Sequence, residues 1–400
     1  MKRLFIEPLD VLMFRSERPF AAIESHVAKL GVISPLTFEG AIKSKIFTGF
    51  CHRKGYLLSD FQRKKKRNET KEDFEKSLHD LKQKLEEKLK DNELRELLEI
   101  IGYIPLELSS KLNVFGVFFA QKEEQTEHFP IPNDIVQEDR TGSNRVKIVP
   151  SQKIKLAKSG LNAVLPPEYP KVKDVDGFMD FDGLKRYLWG GIPEPKRIKV
   201  KGQEIRKPYV EETRCGIQLK AWTKTTEEGA LYTAEFLRVL EGWGFVVWYE
   251  SPQDISDGLN KLGGEGRGVV CKNIKEIDIN EKLNFSKLVE RINEDRVFRL
   301  YVATPSYFGG CLPPKDELEK ILGVDLNLVA AVPGKPAYIG GYDFAMNKEK
   351  PLRRWVNAGA VYYYKFHGEI RDDLNLPIKI IDGIIDMRCA LIGIGGDKNV

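Results

Sequence analysis

Residues 262–268 read Leu-Gly-Gly-Glu-Gly-Arg-Gly, and an apolar pair, Val269 and Val270, follows at once. Glycine is favoured where the backbone must adopt a positive φ or approach another group closely. Backbone N–H groups freed in such a loop form a weakly positive surface that suits anions such as phosphate. A P-loop is excluded, because no Gly-Lys-Ser/Thr follows and because the loop precedes a strand. The stretch therefore predicts either a tight β-turn or a phosphate-contacting loop with Arg267 beside it.

Length and composition set limits on the class of protein. A chain of 400 residues, of which 42% are hydrophobic, is expected to form two domains with substantial cores. No run of 18 apolar residues and no signal peptide are present, so we expect a soluble, cytoplasmic protein with no membrane contact. The five cysteines are scattered and contain no C-x-x-C pair, which argues against a disulfide framework and a zinc site. No metal and no cofactor are predicted.

Positive charge is concentrated in the first half of the chain. The net charge is only +5, but residues 53–67 carry seven basic side chains and one acidic side chain. Residues 140–158 carry six basic and no acidic side chains, and residues 196–207 carry six against one. Each patch could be a solvated face, yet the three together indicate a molecule with one basic side.

The N-terminal pattern predicts a strand followed by a helix. Residues 3–14 are rich in β-formers, and a charged loop from Arg15 to Phe20 follows. Ser34 and Pro35 predict a helix start, with serine as N-cap and proline at the first helical position. Phe38, Ile42 and Ile46 are spaced four apart and form the predicted buried stripe. Lys43 lies off this stripe and is expected to be exposed.

The remaining elements predict an α+β protein. An amphipathic Lys/Glu-rich helix over residues 74–89 has the character of an insertion, and residues 133–208 show little regular pattern apart from a helix near residues 181–189. A helical pattern at residues 256–262 leads into the glycine loop, and residues 236–240 are also interpreted as helical. A charged segment, residues 273–295, marks the domain boundary. The order of elements, repeated in a shorter second half, predicts tandem ferredoxin-like (RRM-like) domains with long insertions.

Two groups of residues are candidates for catalysis. His26, with Lys29 three residues later, could cleave RNA without metal through the 2′-OH, or it could be a loop histidine with no catalytic role. Four aspartates crowd into residues 174–182, where a solvated loop is favoured over a metal site. These are Asp174, Asp176, Asp180 and Asp182.

Features of single-stranded RNA binding are better represented. Such RNA is bound by aromatic stacking and by basic grooves. Arg353, Arg354 and Trp355 combine both soon after a second glycine turn at Gly340 and Gly341, although a core tryptophan beside two solvated arginines is the alternative. In the strand over residues 361–366, three consecutive tyrosines must alternate faces, so we expect at least one in the core and one available for stacking.

Several segments together resemble a known family. The opening RLFIEPLDVLMFRSERPF, the helix SPLTFEGAIKSKIF, the strand HFPIPNDIV, the loop LGGEGR, the segment ATPSYFGGCLPP and the stretch GGYDFAMNKEKPLRRWVNAGAVYYY occur in the order found in Cmr subunit three. That family belongs to the RAMP superfamily of type III-B CRISPR-Cas (Cmr) effector complexes. Tyr342 and Asn357 depart from its pattern, which usually has tryptophan and proline there.

The resemblance implies a non-catalytic RNA-binding subunit with no cofactor. It implies an N-terminal ferredoxin-like RAMP domain over residues 1–275, with a helical insertion at about 60–100 and a thumb-like basic segment at about 133–208, and a C-terminal ferredoxin-like domain over residues 290–400. The expected partners are the 5′ repeat-derived tag of the guide RNA, the large polymerase-like signature subunit, the neighbouring backbone RAMP subunit and nearby target RNA. The basic residues 140–158 would suit a wedge between guide and target.

The residues expected to contact RNA come from both halves of the chain. Arg15, Arg18 and Lys43 are expected to converge with the glycine loop on one groove of the first domain, and the second glycine turn is expected to contribute from the second domain. The full set is Arg15, Arg18, Lys43, Gly263, Gly264, Arg267, Gly340, Gly341, Arg353 and Arg354.

Two alternatives remain open. The first is a metal-independent guide-RNA-processing endoribonuclease of the RAMP superfamily that uses His26. The second is an adaptor that contacts only proteins.

Overall fold

The computed structural model of the chain describes residues 1–15, 27–138, 145–156, 159–165, 171–200, 203–219, 222–223 and 225–395. Arg18 and His26 lie outside these described residues. In the part that is described, no helix is long and apolar enough to cross a membrane.

The described residues form seven α-helices, three short 3-10 turns and 24 strands. The helices are α1 Pro35–Lys54, α2 Lys71–Lys88, α3 Asn92–Ile101, α4 Phe181–Leu188, α5 Ile279–Leu283, α6 Phe285–Asp295 and α7 Lys315–Leu322, and the 3-10 turns are Leu58–Phe61, Ile104–Leu106 and Gly264–Gly266. The strands are β1 Lys2–Pro8, β2 Val27–Ala28, β3 Asn113–Gln121, β4 Glu127–Pro130, β5 Ile135–Glu138, β6 Arg145–Lys147, β7 Val149–Lys155, β8 Asn162–Leu165, β9 Val172–Asp174, β10 Phe178–Met179, β11 Ile198–Val200, β12 Gln203–Ile205, β13 Tyr209–Leu219, β14 Thr226–Val239, β15 Trp243–Glu250, β16 Gly258–Leu262, β17 Arg267–Ile274, β18 Val297–Val302, β19 Asp325–Val332, β20 Ala337–Asp343, β21 Lys348–Trp355, β22 Val361–His367, β23 Ile378–Ile381 and β24 Asp386–Ile394.

The first large sheet has seven strands in the order β10-β4-β3-β15-β1-β17-β16. Strand β1 lies inside it, antiparallel to β15 on one side and β17 on the other. Because side chains alternate across a strand, Leu4 and Ile6 pack on one face and Phe5 packs on the other. Both faces of this sheet are therefore covered.

Helix α1 covers one of those faces. The Ser34 side chain accepts a hydrogen bond from the Leu36 N–H and caps the helix, as the sequence predicts, with Pro35 in the first turn. Phe38 and Ile42 are completely buried and pack in one cluster with Leu4 and Ile6. The predicted apolar stripe is thus confirmed at these positions.

The second large sheet has five antiparallel strands in the order β19-β22-β18-β24-β23. Helices α5 and α6 lie between the two sheets in the chain. They pack in a core that also contains Phe5 and Trp248 of the first sheet and Tyr301 of the second. An α+β fold is thereby confirmed, and the two sheets share one apolar core.

Two buried polar clusters connect the second sheet with the rest of the chain. The Glu39 carboxylate of α1 forms an ion pair with the Arg388 guanidinium of β24, and Arg388 donates to the Val114 carbonyl at 2.8 Å. In the second cluster, the Tyr187 and Tyr363 hydroxyls donate to the fully buried Asp134 at 2.9 and 2.7 Å. Buried polar groups of this kind hold their neighbours in one arrangement only if they remain paired.

The helical insertion forms a small unit of its own. The predicted helix over residues 74–89 corresponds to α2, and α3 follows it. Leu81 and Leu85 of α2 pack with α3 and with Phe50 and Phe61 in a separate apolar cluster. The insertion therefore stands on the end of α1 rather than on either large sheet.

Three sequence expectations are wrong in detail. Residues 236–240, interpreted as helical, belong largely to β14, where cross-strand pairing with β13 overrides local propensity. Residues 258–262, also interpreted as helical, form β16, so the glycine loop closes an antiparallel hairpin. Residues 133–208, expected to have little regular structure, contain the short strands β5 to β12 besides α4.

Candidate nucleic-acid interface

The glycine loop between β16 and β17 packs against the chain that follows β1. Gly263 has a φ of +73°, and a Cβ placed there would lie 2.5 Å from the Met13 carbonyl oxygen. The Gly264 N–H donates to that same oxygen at 2.7 Å. Glycine is required here because two backbone segments meet without room for a side chain.

Arg267, at the end of this loop, is neutralised within the chain. Its guanidinium lies 2.5 Å from a Glu265 carboxylate oxygen, 3.9 Å from Asp10, and over the Phe236 ring at 5.0 Å from the centroid. Its side chain is only 26% exposed. The loop therefore presents little free positive charge.

Two further arginines extend this neutral cluster along the β13–β14 hairpin. Arg214 and Arg238 both pair with Glu212 and both approach Asp10, at 3.7 and 3.4 Å. Hydrogen bonds first from Arg238 and then from Arg214 lower the pKa of Glu212 to about 2. Glu212 consequently stays ionised at every physiological pH and holds the two arginines.

Arg15, one of the predicted RNA contacts, belongs to the same segment as Met13, against which the glycine loop packs. It is exposed and forms an isolated β-bridge with Leu30. The Gly31 N–H donates to the Phe14 carbonyl at 2.7 Å, which fixes this crossing of two segments. Arg15 thus stands beside Met13, on which the glycine loop rests.

Lys43 is not exposed, contrary to the sequence expectation. It is half-buried, and its Nζ lies 2.6 Å from Oε1 of Glu39, one helical turn earlier. Burial lowers the pKa of Lys43, opposed by the charge of Glu39 and aided by Arg388 and Lys350. The expectation fails because Glu39 forms a buried ion pair with Arg388, and Lys43 is held at the edge of the core by its own ion pair with Glu39.

The second glycine turn expected from the sequence is wrong in place: Gly340 and Gly341 lie inside β20, at an irregularity in its pairing with β21, and the turn of the β20–β21 hairpin is at residues 344–347. Gly341 has a φ of +147°, whereas a Cβ at Gly340 would make ordinary contacts with Leu352 at 3.5 Å and with the Lys350 carbonyl at 3.6 Å. Trp355 is buried and its ring lies 5.6 Å from that of Tyr307, so the tryptophan is a core residue. Arg353 and Arg354 are both exposed, and the Arg353 guanidinium stands 4.8 Å from the Tyr307 centroid.

The structure brings part of the predicted set together around the segment that leads into α1. At one end of this segment Leu30 bridges Arg15, and at the other Val32 and Leu36 pack against Ile339 and Trp355 of the hairpin. The hairpin thereby contacts α1 itself, since Leu36 lies in the first turn of that helix. The glycine loop and the hairpin therefore flank the same stretch of chain, from opposite ends.

The stacking residue expected among Tyr362, Tyr363 and Tyr364 is absent, because all three are buried. Strand β22 lies between β19 and β18, and both faces of that sheet are covered. The exposed aromatic side chains of this region are instead Tyr338, Tyr342 and Phe344. Tyr338 and Tyr342 flank Gly340 and Gly341 in the sequence, and this pattern could have indicated the exposed aromatic residues.

The aspartate-rich segment has structural uses. Asp180 caps α4 by accepting from the Gly183 N–H at 2.9 Å and pairs with Lys196 at 3.2 Å. Asp176 pairs with Lys207 at 3.3 Å. Among the described residues, no group of three or more histidine, cysteine or acidic side chains could hold a metal ion.

Comparison with known proteins gives one family and a set of distant structures. The profile of the family described as CRISPR-associated protein (Cas_Cmr3) matches residues 4–379. No curated protein matches the chain. A chain of the cryo-EM structure of the type III-B Cmr-beta complex bound to cognate target RNA and AMPPnP is 16% identical, with a TM-score of 0.42 over 90% of this chain and 86% of that one. A chain of the crystal structure of the Csm3–Csm4 subcomplex of the type III-A interference complex is 11% identical, with a TM-score of 0.35 over 98% of each chain.

Proposed function

This chain belongs to the Cas_Cmr3 family of CRISPR-associated proteins, and from that premise we propose that it is a non-catalytic RNA-binding subunit of a type III-B CRISPR effector (Cmr) complex. Its role is to hold the 5′ repeat-derived tag of the guide RNA. It docks the large polymerase-like signature subunit and the neighbouring backbone RAMP subunit, with target RNA nearby. The complex acts in antiviral defence in the cytoplasm.

The RNA-binding role is supported by a set of cations on the β20–β21 hairpin that have no carboxylate partner among the described residues. Among the described residues, no carboxylate lies within ion-pair distance of Lys348, Lys350, Arg353 or Arg354. Protein surfaces usually pair or disperse such charges, whereas RNA-binding surfaces keep them for backbone phosphates. Arg15 adds a further exposed cation at the other end of the segment that enters α1.

We also propose that both large sheets are ferredoxin-like units of the RAMP type. When their four core strands are numbered along the chain, β17-β1-β15-β3 and β24-β18-β22-β19 both run in the order 4-1-3-2. A helix, α1 or α7, connects the first and second strand of each set. The second helix of a ferredoxin-like unit is replaced by strand β16 in the first sheet and β23 in the second.

The test is guide-RNA binding by the purified chain and by the assembled complex. Replacing Arg353 and Arg354 together with alanine is expected to weaken binding and to reduce the dependence of log Kd on log salt by about 1.4 for single-stranded RNA, because two phosphate contacts are lost. Lys287→Ala, an exposed cation on α6, is the matched control and should change neither quantity. Unchanged binding and salt dependence in the double variant, with complex assembly intact, would favour an adaptor that contacts only proteins.

The same preparation tests the absence of catalysis. Precursor guide RNA incubated with the chain in a metal chelator is expected to remain intact. Any cleavage that is abolished by His26→Ala would establish the endoribonuclease alternative instead.

A further inference from the structure

The β20–β21 hairpin is anchored to helix α1 at its base and, through the helical insertion, at its tip. At the base, Ile339 and Trp355 pack with Leu36 in the first turn of the helix. At the tip, Ala345 packs on the apolar cluster of the insertion, and Phe47 of α1 packs on that same cluster. Leu36 and Phe47 are about 16 Å apart along the helix, and the chain from Ile339 to Ala345 reaches at most about 20 Å. The hairpin can therefore meet both points only by lying along α1.

Arg63 fixes the tip in this position. Its backbone N–H donates to the Ala345 carbonyl and its Nε donates to the Met346 carbonyl, both at 2.8 Å. Its guanidinium is buried and forms an ion pair with Glu69. Because base and tip are both held, the residues between them are preorganised and lose less conformational entropy when they bind a partner.

Between the two anchors, the side of α1 that faces the hairpin is uncovered. Gly40 and Lys43 follow Leu36 by four and seven residues, which places them on the same side of the helix. Gly40 is exposed, and a Cβ placed there would meet nothing within 4 Å outside its own stretch of helix. The hairpin therefore stands away from the helix at this point and leaves a recess between Gly40 and Lys43 of α1 and the inner side of β20–β21.

The cross-strand register decides which side chains of the hairpin face this recess. Residues paired directly across two strands point to the same side, and the pairs are Ile339 with Arg353 and Gly341 with Lys350. Ile339 packs toward α1, so Arg353 and Lys350 point toward α1 as well. In agreement, the Arg353 guanidinium lies 4.8 Å from the ring centroid of Tyr307, which packs on the same apolar cluster as Ile339.

The recess has an excess of positive charge. Lys350 and Arg353 are exposed and form no ion pair with any described residue, and their cross-strand partners are uncharged. Lys43 is the third cation, and its Nζ lies 2.6 Å from a Glu39 carboxylate that also pairs with Arg388. One carboxylate is thus shared by two cations, and the two cations of the hairpin have none.

The acid of β20 does not cancel this charge. Asp343 accepts a hydrogen bond from the Met346 N–H at 2.9 Å and is paired across the strands with Lys348, nearer to the tip. Arginine and lysine are the side chains that most often contact phosphate oxygens, and a guanidinium can donate two parallel hydrogen bonds to them. Interfaces between proteins are depleted in lysine. A phosphate group therefore fits the recess better than an acidic segment of a protein does.

We propose that the recess lined by Lys43, Lys350 and Arg353 is a subsite for a backbone phosphodiester of single-stranded RNA. The inference rests on the proposed RNA-binding function and adds the place where the RNA backbone meets the chain, between α1 and the inner side of the hairpin.

The experiment places a negative charge in the recess without removing a cation. Gly40→Glu is compared with Gly40→Gln, which is similar in size but neutral, in the binding of fluorescein-labelled single-stranded guide RNA to the full chain. Glutamate is expected to weaken binding about ten-fold relative to glutamine and to lower the dependence of log Kd on log salt by about 0.7, because it repels the phosphate and neutralises one cation. Both variants replace a helical glycine with a better helix former, so neither should lower the thermal unfolding midpoint.

Gly49 provides the matched control. It follows Gly40 by nine residues and so lies on the opposite side of α1, where it is equally exposed and equally free of neighbours. Gly49→Glu and Gly49→Gln should therefore bind the RNA within about two-fold of each other, since the charge is separated from the recess by the helix and by solvent.

A double-mutant cycle identifies the cation that the new carboxylate meets. Arg353→Ala should cost about three-fold less affinity in the Gly40→Glu background than in the Gly40→Gln background, because the carboxylate has already weakened that contact. Arg354 is paired with Tyr338 and points to the other side of the hairpin. Arg354→Ala should therefore cost the same in both backgrounds.

Three results would overturn the subsite. The first is equal RNA affinity of Gly40→Glu and Gly40→Gln, and the second is equal coupling of Gly40→Glu to Arg353→Ala and to Arg354→Ala. The third is unchanged RNA binding by Gly40→Glu together with loss of another subunit from the assembled complex, which would make the recess a docking site for an acidic segment of a protein. Failure of the wild type itself to bind guide RNA would instead contradict the proposed function, so the two failures are distinguishable.

Discussion

The two glycine-containing hairpins of this molecule, β16–β17 and β20–β21, carry similar sequence signals but have opposite electrostatic environments. In residues 262–268, Arg267 is paired with Glu265 and approaches Asp10. In the β20–β21 hairpin, Arg353 and Arg354 have no acidic partner among the described residues and are exposed. A basic residue beside glycines is therefore not sufficient to indicate a free anion site, because the acids that neutralise it can come from other strands.

The glycines themselves also serve different purposes. Gly263 allows the loop to meet the Met13 carbonyl, so it is a packing residue. Gly340 lies between two exposed tyrosines, and a Cβ there would meet Leu352 and the Lys350 carbonyl only at ordinary contact distances of 3.5 and 3.6 Å. The β16–β17 loop packs against the chain that follows β1, whereas the β20–β21 hairpin leaves one surface exposed.

The largest expected effect concerns the anchoring of the β20–β21 hairpin by Arg63. Arg63→Ala should lower the free energy of unfolding by about 3 kcal/mol, because a fully buried guanidinium and its hydrogen bonds to the hairpin tip are lost. Urea unfolding measures the loss. Hydrogen exchange should accelerate over residues 337–355 and stay unchanged over residues 262–274.

Lys64→Ala, an exposed neighbour, is the control and should be neutral. Equal loss of protection in both hairpins would mean that Arg63 supports the whole fold rather than the β20–β21 hairpin alone.

The next effect compares the glycines directly. Gly263→Ala should cost about 1–3 kcal/mol, since a positive φ and a contact of 2.5 Å with the Met13 oxygen must both be relieved. Gly340→Ala should change stability by less than about 0.5 kcal/mol, since its Cβ meets Leu352 at an ordinary distance. The unfolding midpoints of the two variants measure this difference in stability. Similar midpoints would show that Gly263 is no more tightly packed than Gly340.

A third effect concerns the helix that joins the two regions. Burial opposes ionisation of Glu39, but the charges of Arg388 and Lys43 outweigh it and hold its pKa below the ordinary value of 4.5. The stability that Glu39 contributes is therefore fully present above about pH 4.5 and is lost as the pH falls through the lowered pKa.

Wild type and Glu39→Gln, compared by urea unfolding at several pH values, should differ by a constant amount near neutral pH. The difference should shrink by about 1 kcal/mol in the acid range. A difference that grows on acidification would show that the sign of the pKa change is wrong.

Much of the fold could be predicted because its signals are local. Ser34 and Pro35 fix the start of α1, and the spacing of Phe38 and Ile42 fixes its buried face. The predicted helix over residues 74–89 is likewise confirmed as α2. Periodicity failed at residues 236–240, because pairing of β14 with a strand more than twenty residues earlier decides their conformation.

The candidate site was harder to predict because its electrostatics are long-range. Lys43 is half-buried owing to Glu39 and to Arg388, which lies 349 residues from Glu39 in the chain. Arg267 is neutralised in part by Asp10, which lies near the N-terminus just after β1. The burial of Tyr362, Tyr363 and Tyr364 depends on which strands flank β22 in the sheet, and that strand order cannot be read from a single sequence.

The smallest expected effect tests whether pairing, rather than net charge, separates the two hairpins. Glu265→Gln removes the closest acidic partner of Arg267, whereas Glu349→Gln removes an acid for which no ion pair exists among the described residues. Both substitutions raise the net charge by the same amount. Glu265→Gln should nevertheless strengthen guide-RNA binding about two-fold and steepen its salt dependence, because it frees the Arg267 cation from its closest carboxylate. Glu349→Gln releases none and should have a smaller effect in fluorescence anisotropy titrations. Equal gains would mean that overall charge alone governs binding, and the contrast between a neutralised and an open hairpin would lose its functional meaning.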